Sequence, residues 1–242
     1  VIHRLYFDLE TLPDQRPGAM ESFAASIQPP SNMSKPETIA KWEAEKRPYE
    51  IERAWLKTSL QGGRGKVAVA GWAFNDEPPM SAYSDDWASE EGERETIRAF
   101  FGSVDAWLKK NWSEGNSIRP QIIGHNVIGF DLRFLFQRCV VLRVPVPHWL
   151  PINAKPWDQD LVFDTMVAWG GHKAYTKMDE ICEALDIPKK GSEFGGDEDI
   201  DGSKVWSHVR DGKIDVVARY CEGDVQRTRD MHRRMVFDGV LA

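Results

Sequence analysis

The chain has 242 residues, 41% of them hydrophobic and 29% charged. That composition excludes a disordered or low-complexity protein, and no apolar run reaches the ~18 residues of a membrane span. Lys and Arg number 31 against 38 Asp and Glu, a net charge of −7. Overall charge therefore does not hold nucleic acid, and such a role requires a local patch or bound metal. Cys139, Cys182 and Cys221 are too few and too scattered for a disulfide framework or a zinc knuckle. That cysteine usage makes a reducing cytoplasm the expected location.

In chain order, residues 2–9 (IHRLYFDL) lack Gly and Pro and read as a strand with Asp8 and Glu10 at its end. Residues 13–66 change texture, punctuated by Pro13, Pro17, Pro29, Pro30 and Pro36. Within them Ser34-Lys35-Pro36-Glu37 opens a helix, and Ile51, Trp55 and Leu60 suggest a second before Gly62-Gly63. A strand follows at 66–74, with a short one near 80–84. Residues 91–110 carry Ile97, Phe100, Phe101, Val104, Trp107 and Leu108 at helical spacing. A strand at 120–124 ends at His125-Asn126, and Leu132, Leu135, Phe136 and Cys139 form another helical stripe. Residues 161–169 are ambiguous between strand and helix. Thr176 opens a short helix through Met178, Ile181, Cys182 and Leu185. A Gly/Asp loop at 188–203 leads to a long helix at about 214–236. Alternating strands and helices argue one α/β domain over 1–242, with 13–66 as an insertion in it.

Three motifs carry chemistry. Asp8 and Glu10 lie two residues apart in a strand, so both carboxylates point to one face and repel unless a cation lies between them. In the last helix Tyr220 and Asp224 stand one turn apart on the stripe of Val217, Cys221, Val225 and Thr228. An acid there needs a partner or a metal. The third motif, Asn126-x-x-x-Phe130-Asp131, crosses a Gly turn and delivers Asp131 into the first turn of a helix. Each has a plain structural reading as well: a polar strand exit, a buried Asp–Tyr hydrogen bond and a helix N-terminal acid.

Taken in order, Phe7-Asp8-Leu9-Glu10-Thr11, Asn126-x-x-x-Phe130-Asp131 and Tyr220-x-x-x-Asp224 resemble the exonuclease motifs of the DEDD superfamily, in its tyrosine branch. The segments IAKWEAEKRP, AWLKTSLQGG, FDTM, MDEICEALDIPKKG, DGSKVW and YCEGDV are similar to the predicted 3′–5′ exonuclease family related to the exonuclease domain of family-B DNA polymerases. The resemblance implies an RNase H-like mixed β-sheet flanked by helices. It implies that Asp8, Glu10, Asp131 and Asp224 are the metal-binding acids and that Tyr220 orients or deprotonates the attacking water. It also implies two divalent cations, Mg²⁺ or Mn²⁺, and places Thr11, Leu12, Asn126 and Phe130 against the substrate. The leading reading is release of nucleoside 5′-monophosphates from the free 3′ end of single-stranded DNA, with the same chemistry on RNA as the alternative, since no residue separates the two. A catalytically idle module gripping nucleic acid or a polymerase is the contrasting reading. Any replication or repair partner is left open, and no membrane is expected. Asp164 in FDTM is unassigned.

Other patterns read as decoys. Asp197-x-Asp199-x-Asp201-Gly202 imitates a calcium loop, but His208 stands where the bidentate Glu is needed. Gly62-Gly63-Arg64-Gly65-Lys66 has the wrong spacing for a phosphate loop. Arg227, Arg229, Arg233 and Arg234 are expected on a solvated helix face. Trp42 and Trp55 are open to base stacking, and Lys57 to a phosphate contact.

Overall fold

The computed structural model describes residues 2–111, 119–196 and 198–238. Asp197 of the calcium-like run lies outside them. A five-stranded sheet forms the centre, built from β1 (Arg4–Leu12), β2 (Lys66–Phe74), β3 (Met80–Ala82), β4 (Gln121–Gly124) and β5 (Val162–Asp164), in the order β3-β2-β1-β4-β5. The β1–β2 and β2–β3 pairs are antiparallel, and β1–β4 and β4–β5 are parallel. The fold is an RNase H-like α/β arrangement, as the motifs implied.

β2 reads KVAVAGWAF and is buried along its whole length, because helices cover both faces of the sheet. On one face Leu5, Phe7, Leu9, Trp72 and Phe74 pack against α4 (Glu90–Asn111) and α5 (Asp131–Leu142). On the other, Tyr6, Leu12, Val69 and Ala73 pack towards α9 (Ile214–Met235). β1 runs three residues beyond the expected strand. Its parallel pairing with β4 reaches only Tyr6, while its antiparallel pairing with β2 continues past Asp8 and Glu10 to Leu12. Both acids therefore sit inside a strand, at the point where β1 and β4 part.

The segment between β1 and β2 folds into α1 (Ala19–Ser26), α2 (Pro36–Glu45), α3 (Arg47–Leu56) and a 3₁₀ turn at Lys57–Leu60. Pro36 occupies the first turn of α2, where its missing N–H costs nothing. Trp42 and Trp55 are buried. Trp55 donates its indole N–H to the Asp14 carbonyl at 2.8 Å and meets Trp206 edge-on. Both indoles are packing groups, because their faces are already covered. The ambiguous stretch at 161–169 is divided: β5 ends at Asp164, which caps α6 (Thr165–Gly170). Two short helices follow, α7 (Met178–Ala184) and α8 (Val205–Arg210). Lys177, not Thr176, is the N-cap of α7. Lys66 is the first residue of β2, and its ammonium donates to the Ala88 and Ser89 carbonyls at 2.6 Å each, which disposes of the phosphate-loop pattern. Asp199 and Asp201 pair with Lys204. All three cysteines are free and buried. Among the described residues no helix is long and apolar enough to cross a membrane.

Candidate active site

The site lies at the carboxyl end of β1, between α5 and α9. α9 approaches the sheet closely there for a local reason. Gly71 of β2 is the register partner of Asp8, and a Cβ at that position would stand 2.7 Å from the Cys221 sulfur. The absent side chain lets α9 press against β1, which brings Tyr220 and Asp224 to the Asp8–Glu10 face. Asp131 arrives from the first turn of α5, where the helix dipole favours a carboxylate. Its Oδ1 accepts the Leu9 N–H at 3.1 Å, tying α5 to β1.

The Gly124–Asp131 turn is set by Asp164. Its carboxylate accepts from the N–H groups of Asn126 at 3.0 Å, Ile128 at 3.1 Å and Met166 at 3.0 Å. Asp164 is thus the brace of the turn. Asn126 there adopts a left-handed conformation, with φ of 59°.

A pocket of about 560 Å³ opens over this region. Asp8, Asn126, Phe130, Asp131 and Tyr220 line it, together with Leu9 and Lys190. Glu10 and Asp224 are buried beside it, at 8% and 1% exposure. Ligand atoms of Asp8, Glu10 and Cys221 lie within 4.8 Å of one another. The Cys221 thiol faces the Asp8 carboxylate at 3.5 Å, and burial, with Asp8 next, raises its pKa well above the usual thiol value. It stays a thiol rather than a soft anionic ligand.

Among the described residues no cation forms an ion pair with Asp8, Glu10 or Asp131. Burial and then Asp224 push the Asp8 carboxyl up to about 7. Burial, then Asp8, raises both Glu10 and Asp131 well above the carboxylate range. Asp8 and Glu10 are hard-oxygen donors close enough to share an ion, a fit for Mg²⁺ or Mn²⁺, while the carboxylates of Asp131 and Asp224 stand outside that 4.8 Å group.

Asp224 is different, because its partners are cations. Lys190 donates to its Oδ2, and Arg227 donates to Oδ1 at 3.0 Å. Arg227 also holds Glu193. Arg227 and Arg229 are buried, at 4% and 5% exposure, rather than solvated, because each finds a built set of acceptors. For Arg229 these include the Asn75 and Glu77 carbonyls. Lys190 also lies 3.2 Å from the Tyr220 hydroxyl. Burial alone would lower its ammonium, yet Asp224, Tyr220, Asp8 and Glu10 outweigh it and hold the pKa above the lysine value. Burial, then Asp224 and Glu10, raises Tyr220 beyond the phenol range, so its hydroxyl keeps its proton.

Lys190 was missed by the sequence reading, and with reason. Lys189 beside it is the same residue type, yet it is mostly exposed and pairs with Glu183 on the surface. Gly191 follows in a left-handed turn, with φ of 77°, and nothing in the local sequence distinguishes the two lysines.

Two expected substrate residues lie elsewhere. Leu12 is fully buried in the α8–α9 core among Ala68, Val69 and Phe194, since the strand period places it on the covered face. The Thr11 hydroxyl donates to the Ser59 carbonyl at 2.7 Å. Neither lines the pocket, and Leu9 takes the apolar position beside Asp8.

With the geometry in place, the comparisons give the chain its family. Residues 88–241 match the predicted 3′–5′ exonucleases related to the exonuclease domain of PolB, and the chain belongs to that family. It is 27% identical over 141 residues to the protein named "Putative DNA polymerase 060R" of Frog virus 3 (isolate Goorha), a match spanning 50% of this chain and 14% of the viral protein. In fold it is similar to the family B DNA polymerase of the hyperthermophilic archaeon Pyrobaculum calidifontis. The TM-score is 0.55 at 18% identity, covering 98% of this chain and 25% of the polymerase. The chain thus spans a quarter or less of the length of these relatives.

Proposed function

We propose that the protein is a metal-dependent 3′–5′ exonuclease of the tyrosine type, removing nucleoside 5′-monophosphates from single-stranded DNA. The observation that carries this reading is the set of three buried or half-buried carboxylates, Asp8, Glu10 and Asp131, without counter-ions beside a pocket that Tyr220 also lines. A structural cluster would be expected to neutralise them. An idle module retains no reason to keep three raised, mutually repelling acids.

In this reading Asp8, Glu10, Asp131 and Asp224 hold two divalent cations. Bound there, such ions would supply Lewis-acid activation of a water and charge stabilisation for the leaving oxygen. Tyr220, kept protonated by burial, positions the water through its hydroxyl and does not remove its proton. Lys190 holds Asp224 in place and carries positive charge into the pocket wall. Asn126 and Phe130 border the terminal nucleotide, and Leu9 replaces Leu12 as the apolar contact.

The test digests 5′-labelled single-stranded DNA and RNA side by side, with Mg²⁺ and with chelator. Shortening by one nucleotide at a time, abolished by chelator and by a blocked 3′ end, is the expected result. Internal cutting of a circular single strand would overturn it.

A further inference from the structure

We propose that the loop at 171–177, Gly-His-Lys-Ala-Tyr-Thr-Lys, grips the single strand leading into the pocket, with Tyr175 stacking on a base and Lys173 and Lys177 meeting phosphates. The proposal rests on the exonuclease reading for the strand's arrival at this pocket. The observations that point to a nucleic-acid strand are independent of catalysis.

Tyr175 lines the same pocket as Asp8, Asp131 and Tyr220, yet it is 76% exposed. A lone exposed aromatic is ordinary on a protein surface. One at the mouth of a pocket presents an open ring face, to which any base can stack. Tyr220 in the same pocket is fully buried and cannot do this.

Charge supports the same occupant. Lys173 and Lys177 are exposed, and among the described residues neither forms an ion pair. Two acids that line the pocket with Lys177 are already engaged: Asp179 accepts the Lys190 N–H at 3.2 Å, and Asp201 pairs with Lys204. In a chain of net −7, Lys173 and Lys177 are two exposed cations placed where a strand entering the pocket would carry its phosphates.

The loop is also held in position. A Cβ on Gly170 would stand 3.0 Å from both the Ala174 Cβ and the Thr176 hydroxyl, so the chain doubles back tightly on itself. The Thr176 carbonyl lies 3.1 Å from His125 Nε2, next to Asn126 in the turn that delivers Asp131. Met178, buried, closes the other end. The arm and the Asp131 turn therefore share a brace.

The test is fluorescence anisotropy of a 5′-labelled single-stranded decamer, as DNA and as RNA, in chelator, so that no hydrolysis intervenes. Tyr175→Ala is expected to weaken binding ~5- to 150-fold, the range for loss of one base stack. Tyr175→Phe is expected to retain affinity. Lys173→Ala and Lys177→Ala should each reduce the salt slope of log Kd by about 0.7 per lost phosphate contact. Unchanged binding by Tyr175→Ala, or a wild type that binds no strand, overturns the inference. Binding that depends on Tyr175 in a wild type that fails to hydrolyse with Mg²⁺ or Mn²⁺ supports it and sinks the exonuclease reading instead. Hydrolysis that proceeds with an unaltered KM in Tyr175→Ala sinks the inference alone.

Discussion

Two buried charge clusters lie on opposite faces of the sheet, and they solve the cost of burial differently. On the α4–α5 face Glu93 and Arg138 form a closed pair, with Nε to Oε1 at 2.7 Å and a second bond to Oε2 at 2.8 Å. Glu93 also accepts the Val67 N–H, and Arg138 donates to the Gly62 carbonyl. Each charge is matched, and the pair fastens two helices to the edge of β2. On the α9 face only Asp224 is matched, by Lys190 and Arg227. Asp8, Glu10 and Asp131 are left with raised pKa values, and among the described residues none of them forms an ion pair. The closed pair contributes to holding the fold, and the open cluster costs stability that bound metal would restore.

The largest effect should separate the two on activity. Asp8→Asn is expected to lower hydrolysis by ~10³-fold or more, equivalent to several kcal/mol of transition-state stabilisation. Its melting temperature in chelator should equal or exceed that of wild type. The sign follows from linkage. The folded Asp8 carboxyl, at about 7, lies above its unfolded value near 3.8, so its contribution is full below 3.8 and is lost as pH rises through 7. Metal-free wild type should therefore lose melting temperature between pH 4 and 8, and Asp8→Asn should show a flatter profile. Retained activity in this variant would remove the open cluster from the chemistry.

Glu93→Gln should do the reverse. Leaving Arg138 buried without its charge partner costs about 3–5 kcal/mol. At ~2–4 °C per kcal/mol that is a fall of roughly 6–20 °C in melting temperature. Hydrolysis assayed well below the transition should survive. If the variant melts like wild type, the closed pair does not brace α4 and α5.

Tyr220→Phe tests the open cluster more finely. It keeps the ring and removes the hydroxyl, and kcat should fall ~10²-fold, at the low end for acid–base assistance, with KM little changed. An unchanged kcat would make the phenol a packing group held by Lys190.

The smallest effect is thermal. At a hundredfold its dissociation constant an ion stabilises the native state by ~2.7 kcal/mol, so Mg²⁺ or Mn²⁺ should raise the wild-type melting temperature by roughly 5–10 °C. Glu93→Gln should keep that shift and Asp8→Asn should lose most of it. Equal shifts in all three proteins would place the ion elsewhere.

How legible this was in the sequence depends on the range of the interaction. The alternation in β1, the continuous apolar run of β2 and the helical stripes of α4 and α9 are local patterns, and each element stands within a few residues of where the pattern puts it. The side-by-side placement of Asp8 with Glu10 and of Tyr220 with Asp224 follows from strand and helix periods alone. Residues 161–169 satisfied both periods because the chain itself changes from strand to helix at Asp164. What spacing does not encode is which cation meets which acid. Lys190 reaches Asp224 across 34 positions, Arg227 turns inward to Glu193 across another 34, and Leu12 faces the core because β1 stays paired with β2 beyond the acids. Local backbone geometry was written in the sequence, but the balance of buried charge was decided by tertiary packing, since a counter-ion is set by proximity in space and not by separation along the chain.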